Sequence, residues 1–87
     1  MERFELQFHR NAAKAFQRLP ETVKQRIEEA IETLRINPFI GKDICKLKGD
    51  LAGLYRLKVG DYRVIYHVDE ERKVITIEAI GTRGEMY

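Results

Sequence analysis

Tryptophan is absent from this chain of 87 residues, and cysteine occurs once, at Cys45. One thiol cannot close an internal disulfide, which fits a reducing cytoplasm. Only two prolines, Pro20 and Pro38, interrupt the chain, so long stretches are free to run as helix or strand. No apolar run approaches the roughly 18 residues of a membrane span. The start, Met1-Glu2-Arg3-Phe4-Glu5, carries charge where an export signal would be apolar, so a cytoplasmic location is expected. The two histidines, His9 and His67, lie far apart with no cysteine or carboxylate cluster beside them. No metal site and no cofactor are therefore expected.

A strong excess of one charge is lacking as well, since the net charge is +2. The distribution is more telling than the sum. Residues 41–68 carry six basic side chains (Lys42, Lys46, Lys48, Arg56, Lys58, Arg63) against three acids (Asp43, Asp50, Asp61). The two ends of the chain are near neutral or acidic. A basic segment in a nearly neutral protein suggests a local anionic target, although a solvated polar face would also look like this.

What is present reads as a single domain over 1–87. A chain this short buries only about 60–65% of its unfolded surface, so its core is modest. Phe4, Leu6 and Phe8 alternate with polar residues, which predicts a half-buried strand. Ala12, Ala13, Phe16 and Leu19 recur at helical spacing, with Asn11 as the expected N-cap and Pro20 as the stop. Pro20-Glu21 opens a second helix with an apolar stripe of Val23, Ile27, Ala30, Ile31 and Leu34, ended by Asn37-Pro38. The short link predicts a helix hairpin over 10–36. A glycine-bearing loop follows, with an extended piece around Ile44–Lys48. Strands are expected at 54–59, 62–68 and 73–80. The expected class is α+β: a mainly antiparallel sheet of about four strands with the helix hairpin on one face.

The hairpin Leu54–Tyr66 carries the signal. Gly60-Asp61 suits a two-residue turn with glycine first, and this sets Lys58 opposite Arg63. Tyr55, Leu57, Val59, Tyr62, Val64 and Tyr66 then share the core face, and Arg56, Lys58, Arg63, Ile65 and His67 share the other. Opposed cations destabilise a strand pair, so a protein tuned for folding alone would place an acid at one of them. Three cations on one open face favour a phosphate site over a solubilising surface, which would mix signs. Further on, Gly81 and Gly84 bracket Arg83 in what reads as a flexible tail, and Tyr87 follows four residues later. An aromatic ring there can stack on a splayed RNA base.

The order strand, helix hairpin, Lys46-Leu47-Lys48-Gly49, Tyr55-Arg56-Leu57-Lys58-Val59, Asp61-Tyr62-Arg63-Val64-Ile65-Tyr66, Gly81-Thr82-Arg83 and a final tyrosine resembles RelE-type toxins of the RelE/ParE superfamily. The resemblance covers nearly the whole chain, and the Arg83…Tyr87 ending is closer to RelE than to ParE. It implies a toxin of a type II toxin–antitoxin pair that cuts mRNA in the ribosomal decoding site and is silenced by a cognate antitoxin. It also implies an RNA-cleaving set of Arg56, Lys58, Arg63, Arg83 and Tyr87, with Lys46 and Lys48 binding RNA. The implied reaction is metal-free attack of a ribose 2′-OH on the adjacent phosphate. Arg56 departs from the lysine of well-known members. Arginine stays protonated and is a poor base, so Lys58 is assigned as base or proton shuttle. Arg63 and Arg56 would clamp the phosphate, Arg83 would serve the leaving 5′-oxygen, and Tyr87 would stack. A ParE-like toxin that binds DNA gyrase without chemistry, and an inactive relative that only binds its antitoxin, share this pattern.

Overall fold

The computed structural model describes residues 3–85. Strand β1 (Glu5–Phe8) leads into α1 (Arg10–Gln17) and α2 (Glu21–Leu34). Then come β2 (Ile44–Lys46), a short 3-10 turn at Gly49–Leu51, β3 (Leu54–Val59), β4 (Tyr62–Asp69) and β5 (Val74–Thr82). The cap of α1 is His9, not Asn11: its Nδ1 accepts the Asn11 N–H at 3.2 Å. His9 is still tied to the sheet by its N–H to the Ile77 carbonyl, 2.8 Å, so the helix has to begin one residue later. Pro20 caps α2, with Glu21 in the first turn, where an acid suits the helix dipole.

The sheet has five strands in the order β1-β5-β4-β3-β2, one more than expected. The extended piece near Ile44 pairs antiparallel with β3 as an edge strand. At the other edge β1 runs parallel to β5, Leu6 beside Ile75 and Phe8 beside Ile77. Alternation predicts a strand but says nothing of a partner some seventy residues away. The Gln7 amide donating to the Thr76 hydroxyl at 2.9 Å spans that separation.

Both helices lie on one face. Ala12 of α1 and Ile27, Ile31 and Leu34 of α2 share a buried cluster with Leu57, Val64, Tyr66, Ile75, Ile77 and Ile80. Strict alternation would send Ile77 and Ile80 to opposite faces. A bulge resolves this: Ile65 pairs with Ala79 but Tyr66 with Ile77, so Glu78 is the extra residue and both isoleucines face inward. Among the described residues no helix is long and apolar enough to cross a membrane.

Tyr66 anchors this face. It is fully buried, stacks on Tyr55 with centroids 5.5 Å apart, and donates its hydroxyl to the Pro38 carbonyl at 2.7 Å. Burial, with Tyr55 alongside, pushes its phenol above the usual tyrosine range. Tyr66→Phe leaves that carbonyl unpaired, which costs about 1–3 kcal/mol. Thermal unfolding should show a melting temperature lowered by roughly 5–20 °C; an unchanged midpoint would mean the bond contributes nothing.

Candidate functional site

Gly60-Asp61 joins β3 to β4. Gly60 has φ +59 and Asp61 does not have a positive φ, the pattern of a turn with glycine in its first central position. The register follows as the turn requires, with Val59 opposite Tyr62, Lys58 opposite Arg63 and Arg56 opposite Ile65. The cations therefore stand on the sheet face away from the helices. Arg63 in turn faces Gly81 on β5, where no side chain competes for the space above the sheet.

Lys58, Arg63, Arg83 and Gly84 line a cleft of about 570 Å³ on that face. A smaller cleft, about 260 Å³, continues across β3 and β2. It shares Lys58 and Arg63 and adds Lys42, Asp43, Cys45 and Arg56. Among the described residues no carboxylate forms a salt bridge with Lys58, Arg63 or Arg83. A continuous trough with donor-only cations on its walls attracts an anionic, phosphate-bearing ligand.

Arg63 departs from expectation. A cation on the open face of a sheet extends into solvent as a rule, yet only 7% of Arg63 is exposed. Its Nη1 donates to the carbonyls of Gly60 at 3.0 Å and Tyr62 at 2.9 Å. The guanidinium curls back over its own hairpin end, giving a donor to the turn carbonyl of Gly60 and to that of Tyr62, the first residue of β4. Arg63 is thus a brace of the hairpin as well as a wall of both clefts.

Arg83 is exposed, but the segment carrying it is held in place. Its N–H donates to the Asp61 carbonyl at 2.8 Å, joining it to the β3–β4 turn. Thr82 and Glu85 bind each other reciprocally: the Thr82 N–H donates to the Glu85 carboxylate at 2.8 Å and the Glu85 N–H to the Thr82 hydroxyl at 3.4 Å. The hydrogen bond from the Thr82 N–H holds the Glu85 carboxyl below the usual carboxylate range. Expecting a flexible tail between two glycines overlooked this clasp. The Thr-x-x-Glu spacing, a capping-box pattern, was its signal.

The remaining expected site residues are dispersed. Arg56 is half-buried and lines the smaller cleft only. Lys46 pairs in register with Tyr55, which places it on the helix-bearing side of the sheet. Lys48 precedes the 3-10 turn and is exposed; neither lysine lines the two clefts. Tyr87 lies outside the described residues. Lys42 and Asp43, which the structure brings into the trough, were legible only as charges of the basic segment, because they sit in a turn ahead of a three-residue strand and alternation cannot place them.

Residues 6–87 match the family model described as the ParE toxin of type II toxin-antitoxin system, parDE. The chain belongs to the RelE/ParE superfamily of toxins. It is 33% identical to RelE1 of Methanocaldococcus jannaschii, across 98% of this chain and 96% of the relative. It is 37% identical to the toxin RelE of Mycobacterium tuberculosis, across 87% of this chain and 77% of the relative. Its fold matches RelE in the archaeal RelE-RelB complex from Pyrococcus horikoshii, with a TM-score of 0.80 and 37% identity over 93% of this chain and 96% of that one. The protein is a RelE-type toxin of a type II toxin–antitoxin system, and the basic trough lies on the side of its sheet that the helices leave open.

Proposed function

We propose that this RelE-type toxin is an endoribonuclease that cuts mRNA in the ribosomal decoding site by 2′-OH attack, without a metal. One observation carries the reading: Lys58, Arg63 and Arg83, drawn from three strands or strand ends, converge on one cleft. Stabilising the extra negative charge on a phosphate in its transition state asks for preorganised cationic donors. Arg63 and Arg56 hold the scissile phosphate, Lys58 moves a proton as base or shuttle, and Arg83 stabilises the leaving 5′-oxygen. Tyr87 supplies a ring for stacking, and Lys46 and Lys48 add attraction for RNA farther from the trough. The ribosome supplies much of the substrate's alignment, a large rate factor in itself.

The partner proposed is a cognate antitoxin. RelE relatives from Pyrococcus horikoshii and Escherichia coli are solved as complexes with RelB. The exposure of Ile36 (59%) and Ile40 (78%) beside an apolar groove supports a covering protein. Expression of the chain alone should arrest growth, and its antitoxin should relieve the arrest.

The reaction is tested by incubating the purified toxin with programmed ribosomes and identifying the product ends chemically. A 2′,3′-cyclic or 3′-phosphate with a 5′-OH is expected; a 3′-OH with a 5′-phosphate, or no cleavage, overturns the reading. A gyrase-directed toxin draws on the ParE description of the family model, and inhibition of supercoiling without RNA cleavage would favour it.

A further inference from the structure

The trough contains one group of the wrong sign for a phosphate site. The β2–β3 register runs Cys45 opposite Arg56 and Ile44 opposite Leu57. In the turn just ahead of β2, Asp43 accepts the Lys58 N–H on its carbonyl at 2.9 Å, which sets it beside Lys58. Asp43 stands at the sheet edge, where it lines the smaller cleft together with Lys58, Lys42, Arg56 and Arg63 and also borders the groove beside Ile36 and Ile40. It forms no salt bridge among the described residues.

A carboxylate here repels phosphate and weakens the binding the cations provide. Its value lies in what the cations lack. Lysine and arginine are donors only and cannot accept a hydrogen bond. Cys45, the cleft's other polar side chain, turns its Sγ toward the Lys46 carbonyl at 3.6 Å. Asp43 is thus the strong side-chain acceptor of the trough among the described residues. An RNA backbone offers one donor, the ribose 2′-OH, and DNA offers none.

The arrangement across the sheet is also ordered. A single row runs from Asp43, in the turn ahead of β2, to Lys58, Arg63 and Gly81 on β3, β4 and β5, with neighbouring strands about 4.8 Å apart, and Arg83 follows beyond Gly81. The carboxylate and Arg83 flank the shared Lys58–Arg63 pair from opposite sides. In-line displacement at phosphorus needs this order of acceptor, phosphate clamp and leaving-group stabiliser.

We propose that Asp43 is a catalytic residue of this toxin, binding the 2′-OH at the scissile phosphate and taking its proton; the proposal rests on the ribonuclease reading above. As the O–H proton passes to the Asp43 carboxylate, the 2′-oxygen bonds to phosphorus and the bond from phosphorus to the 5′-oxygen breaks. With Asp43 as the base, Lys58 serves as the shuttle: the departing 5′-oxygen takes a proton from the Lys58 ammonium, which shares the larger cleft with Arg83. The products are a 2′,3′-cyclic phosphate and a 5′-OH, and Lys58 regains its proton as Asp43 loses one.

The test compares wild-type, Asp43→Asn and Asp43→Glu toxins on programmed ribosomes in single-turnover cleavage. Affinity is measured in parallel on ribosomes whose mRNA carries a 2′-deoxynucleotide at the cleaved position. Asp43→Asn should slow cleavage by about a hundredfold or more, while binding the blocked complex as tightly as wild type or more tightly. Asp43→Glu should recover part of the rate. Asp43→Asn cleaving within about twofold of an active wild type overturns the role of Asp43 alone, as does a loss of affinity that accounts for the lost rate. Absence of wild-type cleavage overturns the ribonuclease reading and this proposal with it.

Discussion

Arg83→Ala should reduce single-turnover cleavage of ribosome-bound mRNA by about a hundredfold to a thousandfold, the usual cost of losing one donor to a developing oxyanion. Stability should change by about 0.5 kcal/mol or less. The side chain is exposed, and the contacts that hold its segment do not use the guanidinium. They are the backbone bond from Arg83 to Asp61 and the reciprocal Thr82–Glu85 pair, all of which survive truncation to alanine. Cleavage rates and a urea or thermal melt on the same preparation check both parts. Undiminished cleavage would remove Arg83 from the mechanism, and a large stability loss would mean its side chain has a structural role that the geometry does not indicate.

Arg63→Ala should behave differently, losing activity and stability together. The variant gives up two hydrogen bonds from a charged donor, to the turn carbonyl of Gly60 and to that of Tyr62. Hydrogen bonds to charged groups contribute about 1.5–3 kcal/mol, a large share of the margin of a small domain. Because the same turn holds Arg83 through Asp61, loosening it also disturbs the far wall of the cleft. The cleavage rate should fall at least about a hundredfold at a temperature where the variant is still folded. Arg63→Lys keeps the charge but lacks the planar fork, so it should recover little of the stability. Wild-type stability in Arg63→Ala would show that the two carbonyl bonds brace nothing.

Local rules carried much of this protein. The helices were legible because their apolar stripes recur at helical spacing and Pro20 separates them. The β3–β4 register was legible because a two-residue turn with glycine first admits one pairing, and that pairing places Lys58 beside Arg63. The resemblance to RelE-type toxins rested on the same hairpin and on the Gly81-Thr82-Arg83 segment, and the family match supports it.

Other features depended on residues distant in sequence. The parallel pairing of β1 with β5 arises when the first and last strands meet side by side, and the bulge that keeps Ile77 and Ile80 on one face appears only in the pairing of β4 with β5. The burial of Arg63 was illegible because alternation assigns a side chain to a face but does not say whether it extends into solvent or folds back onto a carbonyl. Asp43 was hidden for a related reason: its place beside Lys58 depends on β2 docking at the sheet edge. Sequence by itself determined the elements, the hairpin register and the family, because period, turn chemistry and motif are properties of neighbours along the chain. Tertiary structure alone decided which cations reach the trough and which acid joins them, because these depend on how strands far apart in sequence align side by side.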